Sequence, residues 1–252
     1  MILKTTGKVS GFALIITVLA ACSQLKEKPV VDFVMKDFKA ESSPNCKGDS
    51  TCVLFEVQYP EFLGLDTAVR KAITDRVNYI LNGSTGEPVS LDQMANELIK
   101  DYEDFRKDMP EFDLGWYFRG KVKVLISSDT LISLQVDTDE FTGAAHSTYT
   151  THFVNVEPKT GTAFLLDAML RPGYQEELGR LGREELRNQL ELAQNDSLPL
   201  PEGEEGFPEL TDNYGFRKEG IVFFFNDYMA GAMADGSTEI IIPYEKLRDW
   251  MK

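Results

Sequence analysis

Apolar and polar residues alternate from Val30 to Phe38, which predicts a first strand, and Thr51 to Tyr59 (TCVLFEVQY) reads as its hairpin partner. Pro60 to Leu65 is a connector. From Asp66 the period changes. Val69, Ile73, Val77, Ile80 and Leu81 recur at helical spacing until Asn82-Gly83. After a loop, Ser90-Leu-Asp-Gln93 has the pattern of a capping box, and Met94, Leu98, Tyr102 and Phe105 form the apolar stripe of a second helix that ends before Pro110. Gly115 to Ser127, Thr130 to Phe141 and Thr148 to Glu157 then read as three consecutive antiparallel strands, with Ser128-Asp129 and Thr142 to Ser147 as turns.

Beyond them, Pro158-Lys-Thr-Gly161 is a tight turn into an extended Thr162 to Leu165, and a short helix starts at Asp167. A longer helix from Tyr174 to about Ala193 carries Leu178, Leu181, Leu186 and Leu190. Residues 195–213, rich in Pro, Gly and acids, form a loop that reads as a solvated excursion. Strands at Tyr214 to Arg217, Gly220 to Phe225 and Ser237 to Ile242 follow, with a loop from Asn226 to Gly236. A short helix from Tyr244 to Trp250 starts behind Pro243. This order predicts an α+β fold of antiparallel sheets packed with helices. A small N-terminal sub-domain (30–110) is expected before a larger C-terminal domain (111–252), the boundary falling near residues 108–115.

The first 22 residues follow a different logic. Lys4 and Lys8 precede the apolar run Phe12 to Leu19, which is too short to span about 30 Å of hydrocarbon as a helix. The run ends in Leu19-Ala20-Ala21-Cys22, the pattern of a bacterial lipobox, in which a cysteine thiol is acylated before cleavage. An ordinary secretory signal with an incidental Cys is the alternative. The lipobox reading makes residues 1–21 a signal peptide, Cys22 the lipidated N-terminus, and residues 22–29 a membrane tether. With Ser23 rather than Asp after the cysteine, sorting to the outer membrane, facing the periplasm, is expected in a cell with two membranes. No other segment is long and apolar enough to cross, so the expectation is a soluble body on a lipid anchor.

Composition narrows the partners. The chain has 252 residues, 41 acids against 26 bases, and a net charge of −15. Removing Lys4 and Lys8 with the signal leaves 24 bases against 41 acids, or −17. Nucleic acid is excluded on this balance, because its binding needs a basic face to displace counterions. Apart from Cys22, the cysteines are Cys46 and Cys52, which bracket the turn-like Lys47-Gly-Asp-Ser-Thr51. In an exported chain they are expected to form a disulfide across that turn.

Candidate chemistry is sparse. The two histidines, His146 and His152, lie about 20 Å apart along an extended strand and share no metal unless the chain turns back. The sequence contains no His-Glu-x-x-His and no Gly-x-Ser-x-Gly, and Asp137-x-Asp139 departs from a calcium loop at its fifth and later positions. No cofactor, metal or catalytic residue is assigned. Paired carboxylates acting on a glycan stay open in so acidic a chain, yet nothing singles out a pair.

Two loops are over-specified. Phe141-Thr-Gly-Ala-Ala-His-Ser-Thr-Tyr149 sets small residues beside His146 and Tyr149. Asn226 to Gly236 places Asp227, Tyr228, Met229 and Met233 among Ala and Gly. Such loops are either packing devices, the commoner case for apolar loop residues, or adaptable binding surfaces. His146, Tyr149, Asp227, Tyr228, Met229 and Met233 are therefore the binding candidates.

The run Gly143-Ala-Ala-His146 before Tyr149, Phe153-Val-Asn-Val-Glu-Pro-Lys-Thr-Gly161, Leu165 to Leu170, and Gly220 to Tyr228 through Ile240-Ile-Ile-Pro-Tyr244 resemble the C-terminal domain of RsiV-type anti-sigma factors, a domain that also accompanies PdaC-type peptidoglycan deacetylases. The resemblance covers about residues 115–252, and residues 30–110 are similar to the smaller domain that usually precedes it. It implies an extracytoplasmic binding module, which in RsiV-type sensors recognises lysozyme. The separate catalytic domain of the deacetylases, with its His-x-x-x-His motif, has no counterpart here, nor do the sigma-binding segment and membrane helix of the sensors. The loop from Met229 to Met233 departs from the family's aromatic and proline content. The expected function is a lipid-anchored, non-enzymatic envelope protein that binds cell-wall material or a cell-wall-active protein such as lysozyme. A hydrolase of peptidoglycan or another envelope polymer, with His146 as a participant, and a structural partner in an envelope assembly are the alternatives.

Overall fold

The computed structural model describes residues 31–44, 46, 51–192, 211–226 and 237–252 of an α+β protein. Five strands, β1 (Phe33–Glu41), β2 (Val53–Phe62), β3 (Trp116–Ser127), β4 (Ile132–Phe141) and β5 (Thr148–Val156), form one sheet in sequential order. All its neighbours are antiparallel except β2 and β3, which are parallel. A parallel pair needs a crossover. Here it is made by α1 (Thr67–Leu81) and α2 (Leu91–Asp108), which cover one face.

Both helices begin where the sequence places them. The Asp66 carboxylate accepts from Ala68 N–H at 2.8 Å, and Ser90 and Gln93 close a reciprocal capping box. Their apolar stripes meet Val57, Phe118, Val122, Ile132, Leu134 and Val136 in the larger core. β2 runs on through Pro60, which was expected to end it. β2 has left β3 after Gln58↔Lys121, so Pro60 pairs with Met35 on one side only, where a missing N–H is tolerated.

A second sheet, β6 (Tyr214–Phe216), β7 (Gly220–Phe225) and β8 (Thr238–Pro243), is an antiparallel meander. The short α3 (Leu166–Met169) and α4 (Tyr174–Gln189) bury Leu166, Leu178, Leu181 and Leu186 against it in a second core. The segment Tyr244–Trp250 is a 3₁₀ rather than an α-helix, and Thr162 to Leu165 forms a single bridge, Val156↔Ala163, rather than a strand. β3, which follows residues 108–115, pairs with both β2 and β4. Most of the 195–213 loop lies outside the described residues.

β4 is buried on both faces and changes character between them. Ile132, Leu134 and Val136 point under the helices, whereas Ser133, Gln135 and Asp137 point towards the second sheet. That polar face determines how the two sheets join.

Candidate functional site

Cys46 and Cys52 form a disulfide with Cα atoms 5.9 Å apart, closing the β1–β2 turn. Cys22, Asp227, Tyr228, Met229 and Met233 lie outside the described residues. His146 sits exposed at the tip of the β4–β5 hairpin, its Nδ1 3.0 Å from the Ser147 carbonyl oxygen. Tyr149 is 47% exposed, opposite Asp139. The tip is fixed by Gly143 at φ +90°, where a Cβ would stand 3.0 Å from Phe112 and 3.2 Å from Trp116 Nε1. That buried indole N–H has no hydrogen-bond partner among the described residues.

The two loops singled out from the sequence leave the sheets at the same end. Asn226, which precedes 227–236, accepts from Thr151 N–H at 2.8 Å and donates to the Thr151 carbonyl at 3.0 Å. Thr151 is two residues from Tyr149 on β5, and Phe225 pairs with Thr238 across the base of the segment. Among the described residues no group of three or more His, Cys, Asp or Glu is placed to hold a metal.

Between β4, β5 and the second sheet lies a polar seam. Asp137 accepts from Gln135 Nε2 and Thr151 Oγ1, each at 2.8 Å, and pairs with Lys123 Nζ at 2.7 Å. Burial alone would raise its carboxyl, but the hydrogen bonds from Lys123, Gln135 and Thr151 and the Lys123 charge outweigh it and hold Asp137 below the usual carboxylate range. Arg217 joins both sheets, with a bidentate pair to Glu239 at 2.6 Å and a longer bond to Gln135 Oε1 at 3.3 Å. Ser133 Oγ accepts from Phe216 N–H and donates to Asn155 Oδ1, so the backbone of β6 is tied to β4 and β5.

The seam opens on the α1 side into a cleft of about 450 Å³. Tyr79 and Ile80 of α1 form one wall, Phe153 and Asn155 of β5 the floor, and Phe164, Leu165 and Tyr214 the other wall. Asp75, Arg76 and Asp212 stand among its lining residues. The polar groups on the floor are locked. Asn155 Nδ2 donates to the Tyr214 carbonyl at 2.8 Å, and the Tyr214 hydroxyl accepts from Leu166 N–H at 3.3 Å. Burial pushes the Tyr214 hydroxyl up, with the Leu166 bond acting the other way. The rings are locked too: Phe164 and Tyr214 both pack edge-on to Phe216, at 5.4 and 5.8 Å. Phe153 lies flat on the backbone of Gly215, where a Cβ would come within 2.3 Å of its ring.

His146 and Tyr149 are not among the residues that line this cleft. One signal for it existed in the sequence: Tyr79 falls off the apolar stripe of its helix. In the structure Tyr79 is 39% exposed, and Leu165 is 54% exposed beside a turn. An open cleft with aromatic walls and a few fixed polar groups at the meeting of two cores is a place where a small ligand can bind.

Residues 46–149 match the family model described as deacetylase PdaC, and residues 167–245 match that of a protein family of unknown function, DUF3298. No curated protein sequence matches the chain. A crystal structure of a DUF3298 family member from Bacteroides fragilis superposes with a TM-score of 0.66 at 18% identity, covering 89% of this chain and 96% of that one. A DUF3298 family protein from Pseudomonas aeruginosa gives 0.58 at 20% identity, covering 88% and 95%. These likenesses show a shared fold. The cleft draws Asp75 to Pro88 from the segment similar to PdaC and Asp212 and Tyr214 from the segment similar to DUF3298, with residues 153–155 and 163–165 lying between the two matches.

Proposed function

We propose that the protein is a lipid-anchored, non-enzymatic envelope protein that binds cell-wall glycan in the cleft between α1 and the second sheet. The observation that carries this reading is the pairing of aromatic walls with carboxylate, amide and guanidinium groups in one open cavity. A sugar ring has apolar C–H faces and hydroxyl edges. Tyr79, Phe153, Phe164 and Tyr214 offer surfaces for the faces, while Asp75, Arg76 and Asp212 offer partners for the edges. The envelope location rests on the signal-like start and the Leu19-Ala-Ala-Cys22 motif. A PdaC-type segment and the RsiV-like runs fit the same compartment.

The RsiV-type resemblance and the net charge of −15 favour a second reading, recognition of a basic cell-wall-active protein such as lysozyme. One experiment separates the two: co-sedimentation with purified sacculi at two salt concentrations, beside a lysozyme titration. Glycan binding in the cleft predicts retention on sacculi that changes little with salt. A response to lysozyme alone, lost at high salt, supports the second reading. Retention on neither, or release of soluble wall fragments, overturns the proposal.

A further inference from the structure

A second cavity, of about 250 Å³, lies apart from the cleft. α1 rests on β4 and β5 while α2 rests on β1 and β2, so the helices splay above the middle of the sheet and leave a crevice between them. Its floor is Ile73, Val77, Leu81 and Leu134, all almost inaccessible to solvent, and Phe38 and Leu91 flank it. The inner part of the crevice is aliphatic and offers water few partners, while its outer part opens to solvent.

The polar groups gather at the mouth, and two of them, Asn78 and Ser90, are already engaged. Asn78 Nδ2 donates to the Val89 carbonyl at 2.9 Å, and Ser90 Oγ accepts from Gln93 N–H in the capping box. Thr74 and Asp92 complete the rim, both exposed, and among the described residues Asp92 is the only charged side chain that lines the crevice. The geometry points to a binding site for a single unbranched alkyl chain with an uncharged hydroxyl head. The chain fills the crevice between α1 and α2, and the head stays at the Thr74 rim. The volume is too small for a folded peptide segment or a two-chain lipid. Asp92 and the net charge of −15 act against a carboxylate head. This inference is independent of the glycan reading.

Calorimetric titration of the full chain with 1-alkanols from hexanol to dodecanol tests it, alongside the matching alkanoates and dihexanoylphosphatidylcholine. The expected result is one site whose Kd falls about fourfold per added methylene and then levels off once the crevice is full. Alkanoates bind more weakly, and salt narrows that gap. Thr74→Trp closes the mouth from an exposed helix position and removes binding, and Val77→Phe fills the floor and shortens the optimal chain. Circular dichroism and thermal unfolding report whether each variant is folded. Three results would overturn the assignment: affinity that rises without levelling, unchanged binding in folded Thr74→Trp, or dihexanoylphosphatidylcholine binding as tightly as 1-hexanol.

Discussion

Gly215 is a single position on which both packing and the cleft depend. Any side chain there would displace the Phe153 ring, since a Cβ would fall 2.3 Å from Cδ1 and 2.9 Å from Cγ. Gly215→Ala is therefore expected to destabilise the protein by about 2 kcal/mol and to push Phe153 out of the cleft floor. Chemical denaturation measures the first effect, and glycan titration of the folded variant the second. Unchanged stability would show that Phe153 is not held against Gly215.

Asp137 gives a pH-dependent test at the same scale. Its folded pKa is held below the ordinary value, so its stabilisation is complete above about pH 4, the region of an unfolded aspartate. That stabilisation is lost as pH falls through the lower folded value. Asp137→Asn is thus expected to cost about 2 kcal/mol at pH 7, with the deficit shrinking towards pH 2. Urea titrations of both proteins at several pH values measure it. A deficit that stays constant with pH would mean that the carboxylate charge contributes nothing.

At the scale of elements, the most legible parts of the sequence were those specified locally. α1 and α2 announce themselves through period, cap and stop: Asp66 and Ser90 at the start, Asn82 and the residues before Pro110 at the end. The β1–β2 hairpin is equally local, and the Cys46–Cys52 bond closes its turn. That loop is short, so its removal from the unfolded ensemble is worth about 2 kcal/mol. Reduction is expected to lower the unfolding free energy by about that amount and leave the α1 and α2 signals intact. Loss of helical circular dichroism on reduction at 25 °C would contradict this local role. The sequence reading did not reach the parallel pairing of β2 with β3, because that register joins residues about sixty positions apart across two helices. Likewise, Pro60 signals a stop unless the one-sided pairing of β2 is known.

At the scale of the molecule, two cores are joined by a polar seam beside apolar contacts such as Phe153 on Gly215. Ser133, Gln135 and Asp137 are buried on a strand whose other face is aliphatic, and Asn155, Thr151, Asn226 and Arg217 meet them from β5 and the second sheet. A buried polar seam is favourable only when its members are satisfied, and it fixes one relative placement of the sheets. The cleft is a consequence of that placement. Its residues come from 75–88, 153–155, 163–165 and 212–214, segments with no proximity along the chain, so no pattern in the sequence could assemble them. What the sequence did offer was one side chain out of place for a core, Tyr79 off its helical stripe; the exposure of Leu165 is visible only in the structure. Of the loops it favoured instead, the one around His146 precedes β5, at the end away from Phe153 and Asn155, and residues 227–233 lie outside the described residues.

The central claim, that cell-wall glycan binds against the aromatic walls of this cleft, is tested most directly by calorimetric titration of soluble peptidoglycan glycan fragments into the parent chain and into Tyr79→Ala and Phe164→Ala. Each exposed or half-buried ring should supply about 1–3 kcal/mol of stacking and burial, so each variant is expected to bind at least about fivefold more weakly, with Tyr79→Ala unfolding near the parent midpoint and Phe164→Ala somewhat below it because its ring packs on Phe216. Glycan binding that is the same in all three folded proteins, or that is absent from the parent, would contradict the account.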